Sequence, residues 1–150
     1  MKKILLPLIT LLFMNCGSEH AVKDYTESNE QEIQAYISAQ GLNAEKSATG
    51  LYYVINEPGT GNSPTASSDV TVAYKGYFTD GAVFDQSGAE GISFNLNQVI
   101  SGWTEGITYF NEGGSGILLI PSRLGYGNNG RGSIPGGAVL IFDINLIAVN

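Results

Sequence analysis

Residues 70–85 read VTVAYKGYFTDGAVFD, and this stretch has the pattern of two strands joined by a tight turn. Apolar side chains occupy every second position of residues 70–74, a period typical of a strand with one buried face. Asp80 and Gly81 form a favoured two-residue hairpin turn, and an apolar pair at residues 83–84 follows it. The stretch therefore predicts an antiparallel hairpin.

Further strands and one short helix are predicted around this hairpin. The strands are expected at residues 51–56, 93–96, 116–120 and 139–149. Trp103 begins a short helical stretch that reaches Phe110 and ends before Gly113, and a glycine-rich loop covers residues 125–137. Antiparallel strands with one short helix predict an α+β domain with a single core.

A second helix is predicted ahead of the sheet, over residues 28–40. Ser28 and Gln31 have the spacing of a capping box, and Gly41 is suited to end the helix. The apolar residues at helical spacing are Ile33, Tyr36 and Ile37. A helix of this length is not stable alone, so it either packs on the domain or frays. Residues 43–50 are expected to be a polar link.

The first sixteen residues have the pattern of an export signal. Lys2 and Lys3 precede an apolar run over residues 4–14, which is too short to span a bilayer, and Cys16 follows. The arrangement resembles a bacterial lipoprotein signal, in which the cysteine is lipidated; the alternative is a plain secretory signal beside a coincidental cysteine. We expect a signal peptide at residues 1–15, a tether and short helix at 16–50, and a folded domain at 51–150.

Composition excludes several classes of site. The chain of 150 residues has one Cys and one His, too few for a disulfide scaffold, a closed zinc site or a histidine-dependent hydrolase. A net charge of −7 disfavours binding to nucleic acid. Glycines at 125, 127 and 130 match a dinucleotide-binding pattern, but the RGSIPGG that follows cannot begin a helix. We therefore expect no metal and no cofactor.

Five strings between residues 70 and 149 occur in the order and near the spacing found in one enzyme family. They are VAYKGY at 72–77, GAVFDQS at 81–87, FNLNQVISGWTEG at 94–106, IPSRLGYG at 120–127, and IP at 134–135 followed by LIFD at 140–143. The chain thus resembles the FKBP-type peptidyl-prolyl cis-trans isomerases. The resemblance implies an antiparallel β-sheet wrapped around a short α-helix, and residues 50–61 also resemble the lead-in of bacterial secreted members.

The resemblance also implies a pocket for a prolyl ring. Trp103 would form its floor, while the Tyr126 hydroxyl and the Ile134 amide N–H would donate to substrate carbonyls. Asp85 would hydrogen-bond to Tyr74 or polarise the amide. The residues expected to act in catalysis are Tyr74, Phe84, Asp85, Trp103, Tyr126 and Phe142, and those expected to bind substrate are Ile92, Val99, Ile100 and Ile134.

The pocket is expected to differ from the family pattern at one wall position and in the glycine-rich loop. Ile92 replaces a frequent aromatic wall residue, and Gly125 and Gly136 replace a usual alanine and a frequent second proline. Gly130 and Gly132 loosen the same loop, and ordering it would cost about 1 kcal/mol per residue. We therefore expect weaker or less selective catalysis.

The expected function is isomerisation of X-Pro bonds in proline-containing polypeptide clients outside the cytoplasm, with macrolides of the FK506 type as inhibitors. The protein would be a monomer, bound to a membrane only through lipid on Cys16, in the periplasm or at the outer membrane. One alternative is a non-catalytic chaperone or protein-binding module that uses the same cleft. Another is a structural lipoprotein whose domain serves as an interaction surface.

Overall fold

The computed structural model describes residues 22–150, which form a helix, an antiparallel sheet and a second short helix. Helix α1 spans Thr26–Gln40 and α2 spans Ser101–Gly106, which a 3-10 turn continues over Ile107–Tyr109. The strands are β1 Glu45–Lys46, β2 Tyr52–Glu57, β3 Asp69–Tyr77, β4 Val83–Gln86, β5 Ile92–Asn95, β6 Ser115–Ile120 and β7 Leu140–Val149. The predicted signal peptide at 1–15 and the lipidation site Cys16 lie outside the described residues.

Within residues 22–150 the sheet has seven strands, of which six follow the order β1-β2-β6-β7-β3-β4 and the seventh, β5, pairs with β3. Every strand pairing is antiparallel. β3 pairs with β7 along one side, and with β5 and then β4 along the other. The outermost strands are short: two residues in β1, and four each in β4 and β5. This architecture confirms the expected α+β class, an antiparallel sheet wrapped around a short helix.

The sheet buries side chains on both faces. On one face Trp103 and Ile107 pack with alternate residues of β6 and β7, such as Leu118. On the other face Ile33 of α1 packs with Leu119 of β6 and Ile141 of β7, which alternate along their strands with the residues of the first face. Successive side chains of a strand point to opposite faces, so a sheet covered by a helix on each side has two apolar layers. The expectation of a single core is therefore wrong.

Helix α1 begins two residues earlier than its sequence pattern predicts. The N-cap position is Tyr25, and the carboxylate of the preceding Asp24 accepts from the Thr26 N–H at 2.8 Å. Ser28 instead donates its hydroxyl to the Tyr25 carbonyl at 3.1 Å, so the predicted capping box is wrong. Gly41 ends the helix in the left-handed conformation, with φ of 63°, as expected. Of the two alternatives for this helix, the structure shows that it packs on the domain.

Between residues 22 and 150, no helix combines the length and the apolar character that crossing a bilayer requires.

Replacing Ile33 tests the packing of α1 on the sheet. Its side chain is 1% exposed, and Ile33→Ala should lower the free energy of unfolding by about 2–4 kcal/mol because it leaves a cavity. The matched control Gln40→Ala removes an exposed side chain of the same helix, so stability should change by less than about 0.5 kcal/mol. Urea unfolding followed by the fluorescence of the single tryptophan measures both, and equal midpoints would contradict this packing.

Candidate active site

One cavity of about 700 Å³ opens between the sheet, α2 and the loop that joins β6 to β7. We call this loop, residues 121–139, the flap. A volume of this size is typical of sites for small molecules or short peptide segments. The lining residues are Tyr74, Phe84, Asp85, Phe94, Gln98, Val99, Ile100, Trp103, Tyr126, Arg131, Gly132, Ser133, Ile134 and Phe142.

The indole of Trp103 lies at the base of this cavity and is held by other rings. Tyr74, Phe94 and Phe142 meet it edge to face, with ring centroids 5.1, 5.5 and 5.3 Å away. Such contacts stabilise an aromatic pair by about 0.5–1.5 kcal/mol beyond the area buried. The buried indole N–H has no hydrogen-bond partner within residues 22–150. Ring packing, rather than a hydrogen bond, therefore fixes the floor.

Helix α2 carries Trp103 and lies close against β6. A Cβ at Gly102 would fall 2.6 Å from the side chain of Ile120, so only glycine permits this approach. The helix start is fixed by the Ile100 carbonyl, which accepts from the Trp103 N–H at 2.9 Å. The Thr104 hydroxyl also donates to the Leu96 carbonyl at 2.6 Å. These contacts set the depth of the indole below the cavity mouth.

Tyr74 and Asp85 form a hydrogen-bonded pair in the cavity wall. The tyrosine hydroxyl donates to the carboxylate at 2.8 Å. Burial, and after it this hydrogen bond to an anion, raises the pKa of Tyr74 to about 12. The hydroxyl is therefore protonated at neutral pH. Of the two roles implied for Asp85, the structure contains the hydrogen bond to Tyr74.

The flap brings one aromatic, one cationic and one apolar side chain to the cavity. Tyr126 lines it, and the Arg131 guanidinium carbon lies 5.9 Å from the tyrosine ring centroid. Ile134 also lines the cavity, but its amide N–H donates to the Arg131 carbonyl at 2.9 Å. The role expected for this N–H is therefore wrong, because a tight turn over residues 131–134 already uses it.

A different amide is available at the cavity. The N–H of Ile100 has no backbone partner among residues 22–150 and belongs to a residue that lines the cavity. Sequence reasoning missed this donor, although Ile100 itself was expected in the wall. The position immediately before a short helix was the available signal, because such a residue has no preceding turn to accept its N–H.

Ile92, expected in the wall, does not line the cavity. It is 44% exposed and lies opposite Val72, whereas Phe94 lies opposite Val70 and reaches Trp103. Two residues along a strand are about 7 Å apart, which places the cavity at Phe94 and not at Ile92. The remaining lining residues that the sequence did not single out are Gln98, Arg131 and Ser133, and Gly132, expected only to loosen the loop, also lines the cavity.

The arrangement suits binding of an apolar ring flanked by polar backbone. Most of its lining is aromatic or aliphatic, and the polar lining side chains are Asp85, Gln98, Arg131 and Ser133 beside the tyrosine hydroxyls. In the part of the chain described, no three His, Cys, Asp or Glu side chains cluster closely enough to hold a metal ion. The carboxylate among the lining residues, Asp85, is engaged by Tyr74.

Comparison with known proteins agrees with this geometry. The family model described as FKBP-type peptidyl-prolyl cis-trans isomerase matches residues 61–147. The isomerase FkpA of Aeromonas hydrophila is 43% identical over 133 residues, covering 86% of this chain and 49% of the relative. FkpA of Escherichia coli K12 is 42% identical, covering 87% and 48%. The chain thus spans about half the length of these curated relatives.

Solved structures give the same result. The crystal structure of FkpA from Escherichia coli has a TM-score of 0.75 and 38% identity, over 83% of this chain and 60% of that one. A peptidyl-prolyl isomerase from Pseudomonas syringae has a TM-score of 0.72 and 34% identity, over 85% and 98%. These matches confirm the resemblance carried by the five sequence strings. The chain belongs to the FKBP-type peptidyl-prolyl cis-trans isomerase family.

Proposed function

We propose that this chain catalyses the cis-trans isomerisation of X-Pro peptide bonds in polypeptides. The observation that carries the proposal is the cavity itself, a ring-walled space floored by Trp103. A pyrrolidine is the apolar ring that a polypeptide can present beside a backbone amide. The family supports the same activity, and proline-containing chains are the substrates we assign to it.

The physical basis is a difference in polarity between two states of the substrate. Amide resonance gives rotation a barrier of about 18–20 kcal/mol, and the twisted amide has lost that resonance. Water solvates the planar, more polar amide best, so an apolar cavity favours the twisted form relative to water. Each tenfold acceleration requires only about 1.4 kcal/mol of selective stabilisation. Neither a nucleophile nor a general base is needed.

Each group has a role in this scheme. The prolyl ring rests on Trp103, with apolar contacts from Phe142 and Ile134. The Ile100 N–H and the Tyr126 hydroxyl donate to the substrate carbonyls on either side of the twisting bond. The remaining residues proposed to contact the substrate are Tyr74, Phe84, Asp85 and Val99. The same surface should accept macrolides of the FK506 type, and we propose that the protein acts as a monomer.

A second candidate function is binding without catalysis. The observation that favours it is the flap, where Gly127, Gly130 and Gly132 have positive φ and the Ile134 N–H is already paired. A flap with these glycines is costly to order, and it offers one donor fewer than the resemblance implies. On this reading the cleft holds apolar segments of unfolded clients, and twisting of the X-Pro bond is not accelerated.

We also propose that the protein works outside the cytoplasm, attached to a membrane by lipid on Cys16. The support is the sequence of residues 1–16, a basic start and an apolar run followed at once by the cysteine. A single acyl chain binds a membrane only marginally, so stable attachment requires the multiple chains of a bacterial lipoprotein. Clients would then be envelope proteins that fold near the membrane.

A protease-free peptide isomerisation assay tests the activity. The wild-type chain should accelerate exchange at an X-Pro bond, and an FK506-type macrolide should inhibit it. Tyr126→Phe should lower kcat/KM about 3- to 10-fold, because one hydrogen bond to the substrate is lost. Tyr109→Phe removes a hydroxyl that bonds Glu105, away from the cavity, and should leave kcat/KM unchanged. Peptide binding without acceleration would support the second candidate.

The Tyr74–Asp85 pair predicts a defined response to high pH. The pKa of Tyr74 is about 12 in the fold, against an ordinary value of 10.0, so its contribution to stability is present below about pH 10 and declines as pH rises towards 12. Asp85→Asn should lower that pKa, because it removes the anion but not the burial. Urea unfolding should then lose less stability between about pH 9 and pH 11 in Asp85→Asn than in wild type.

Asp80→Asn is the matched control for this change. Asp80 accepts from the Ala82 N–H in the hairpin turn and contacts no tyrosine hydroxyl, so its alkaline slope should equal that of wild type. An identical slope in Asp85→Asn would contradict the pairing.

Cell fractionation tests the proposed attachment. Wild-type protein should be recovered with membranes and should carry the added mass of lipid at Cys16. Cys16→Ala should move the protein to the soluble fraction and abolish that mass. Recovery of the wild type in the soluble fraction without added mass would contradict lipidation.

A further inference from the structure

The flap is tied at both ends to one buried side chain of α1. The Asn29 amide is 2% exposed, and its nitrogen donates to the Gly137 carbonyl at 2.9 Å. Its oxygen accepts from the Ser122 N–H at 2.7 Å. Ser122 lies near the start of the flap and Gly137 near its end, so a single amide joins the two ends of the loop to the helix.

Two more contacts come from the residues just before Asn29. The carbonyl of Lys23 accepts from the Asn128 side chain at 2.7 Å. The ring of Tyr25 packs on Gly137, where a Cβ would lie 2.1 Å from a ring carbon. No larger residue fits at Gly137 without displacing that ring. Residues 23–29, which we call the clamp, therefore contact the flap at three separate positions.

These contacts bracket the residue that faces the substrate. Tyr126 lies between Ser122 and Asn128, both of which the clamp holds. Within the flap, backbone hydrogen bonds close a series of short turns, and the bond of longest sequence range runs from the Gly137 N–H to the Gly127 carbonyl at 2.9 Å. These bonds form the turns within the flap, whereas the bonds from the clamp fix the position of the loop against α1. The left-handed glycines give the loop many alternative conformations to lose, so this attachment adds to its order.

We propose that the clamp holds the flap in the conformation that directs Tyr126 to the cavity, and that Asn29 is a positioning residue for the reaction. The inference rests on the proposed function, because Tyr126 must contact the substrate for its position to affect the rate. Asn29 belongs to the helix that packs on the opposite face of the sheet from Trp103, and it does not line the cavity. It acts only through the loop.

The chemistry of the buried amide explains why its loss would move the flap. Without Asn29, the Ser122 N–H and the Gly137 carbonyl would be buried without partners. An unsatisfied buried polar group is destabilising, and a mobile loop relieves this by moving those groups to water. The flap would then leave its present conformation while the sheet below it stays in place.

A double-mutant cycle separates positioning from general destabilisation. Asn29→Ala should lower kcat/KM about 3- to 10-fold in the wild-type background, but less than about twofold in Tyr126→Phe, because the hydroxyl it positions is then absent. Gln34→Ala is the matched control, since it removes another polar bond of α1, to the Tyr52 hydroxyl at 2.6 Å, without touching the flap. Its kcat/KM should equal that of wild type. Losses that simply add in the double variant would overturn the proposal.

Hydrogen exchange decides the question independently of activity. In full-length Asn29→Ala, amides of residues 123–136 should exchange at least about tenfold faster, while those of β6 and β7 keep their wild-type rates. Unchanged exchange in the flap, or equal acceleration throughout the sheet, would overturn the proposal. If the wild-type chain shows no isomerase activity, the proposed function fails, and these exchange rates alone confirm or refute the clamp.

Discussion

Edge-to-face packing around Trp103 is the interaction on which the site depends. The three rings that meet the indole come from β3, β5 and β7, so each requires the sheet register described above. The indole has no hydrogen bond within the described residues, and only the fit of the rings defines its orientation. The cavity is therefore a property of the whole sheet.

The two faces of the sheet carry different elements, and the flap contacts elements of both. One face carries α2 and the rings, and the other is covered by α1. The flap leaves β6, passes over the cavity and returns to β7, and the clamp reaches it from the α1 side. A helix that contributes nothing to the cavity lining thus influences the loop that does. Helix α1 therefore holds the flap in addition to burying apolar area on the sheet.

Local patterns predicted the short helix and every strand except β1, which lies in the expected polar link, because alternation and turn residues act over a few positions. The ring cluster was predicted from the resemblance to the family, and not from these patterns. Tertiary contacts account for what the sequence did not predict. Asn29 is an ordinary polar residue within a helix, and its partners lie 93 and 108 positions further along the chain. The pairing of the Ile134 amide depends on how the flap folds back on Arg131. Phe94 rather than Ile92 faces the indole because of strand register, which a period of two leaves undetermined.

The short outer strands limit how the sheet can pair with other extended chains. An exposed edge offers unpaired amides and carbonyls to any extended chain that meets it, and long edges promote sheet-to-sheet aggregation. Here the borders are strands of two and four residues, one of them bearing Lys46. The proposed function would bring the cavity into contact with extended client chains, and borders this short offer such chains few unpaired backbone groups for strand pairing.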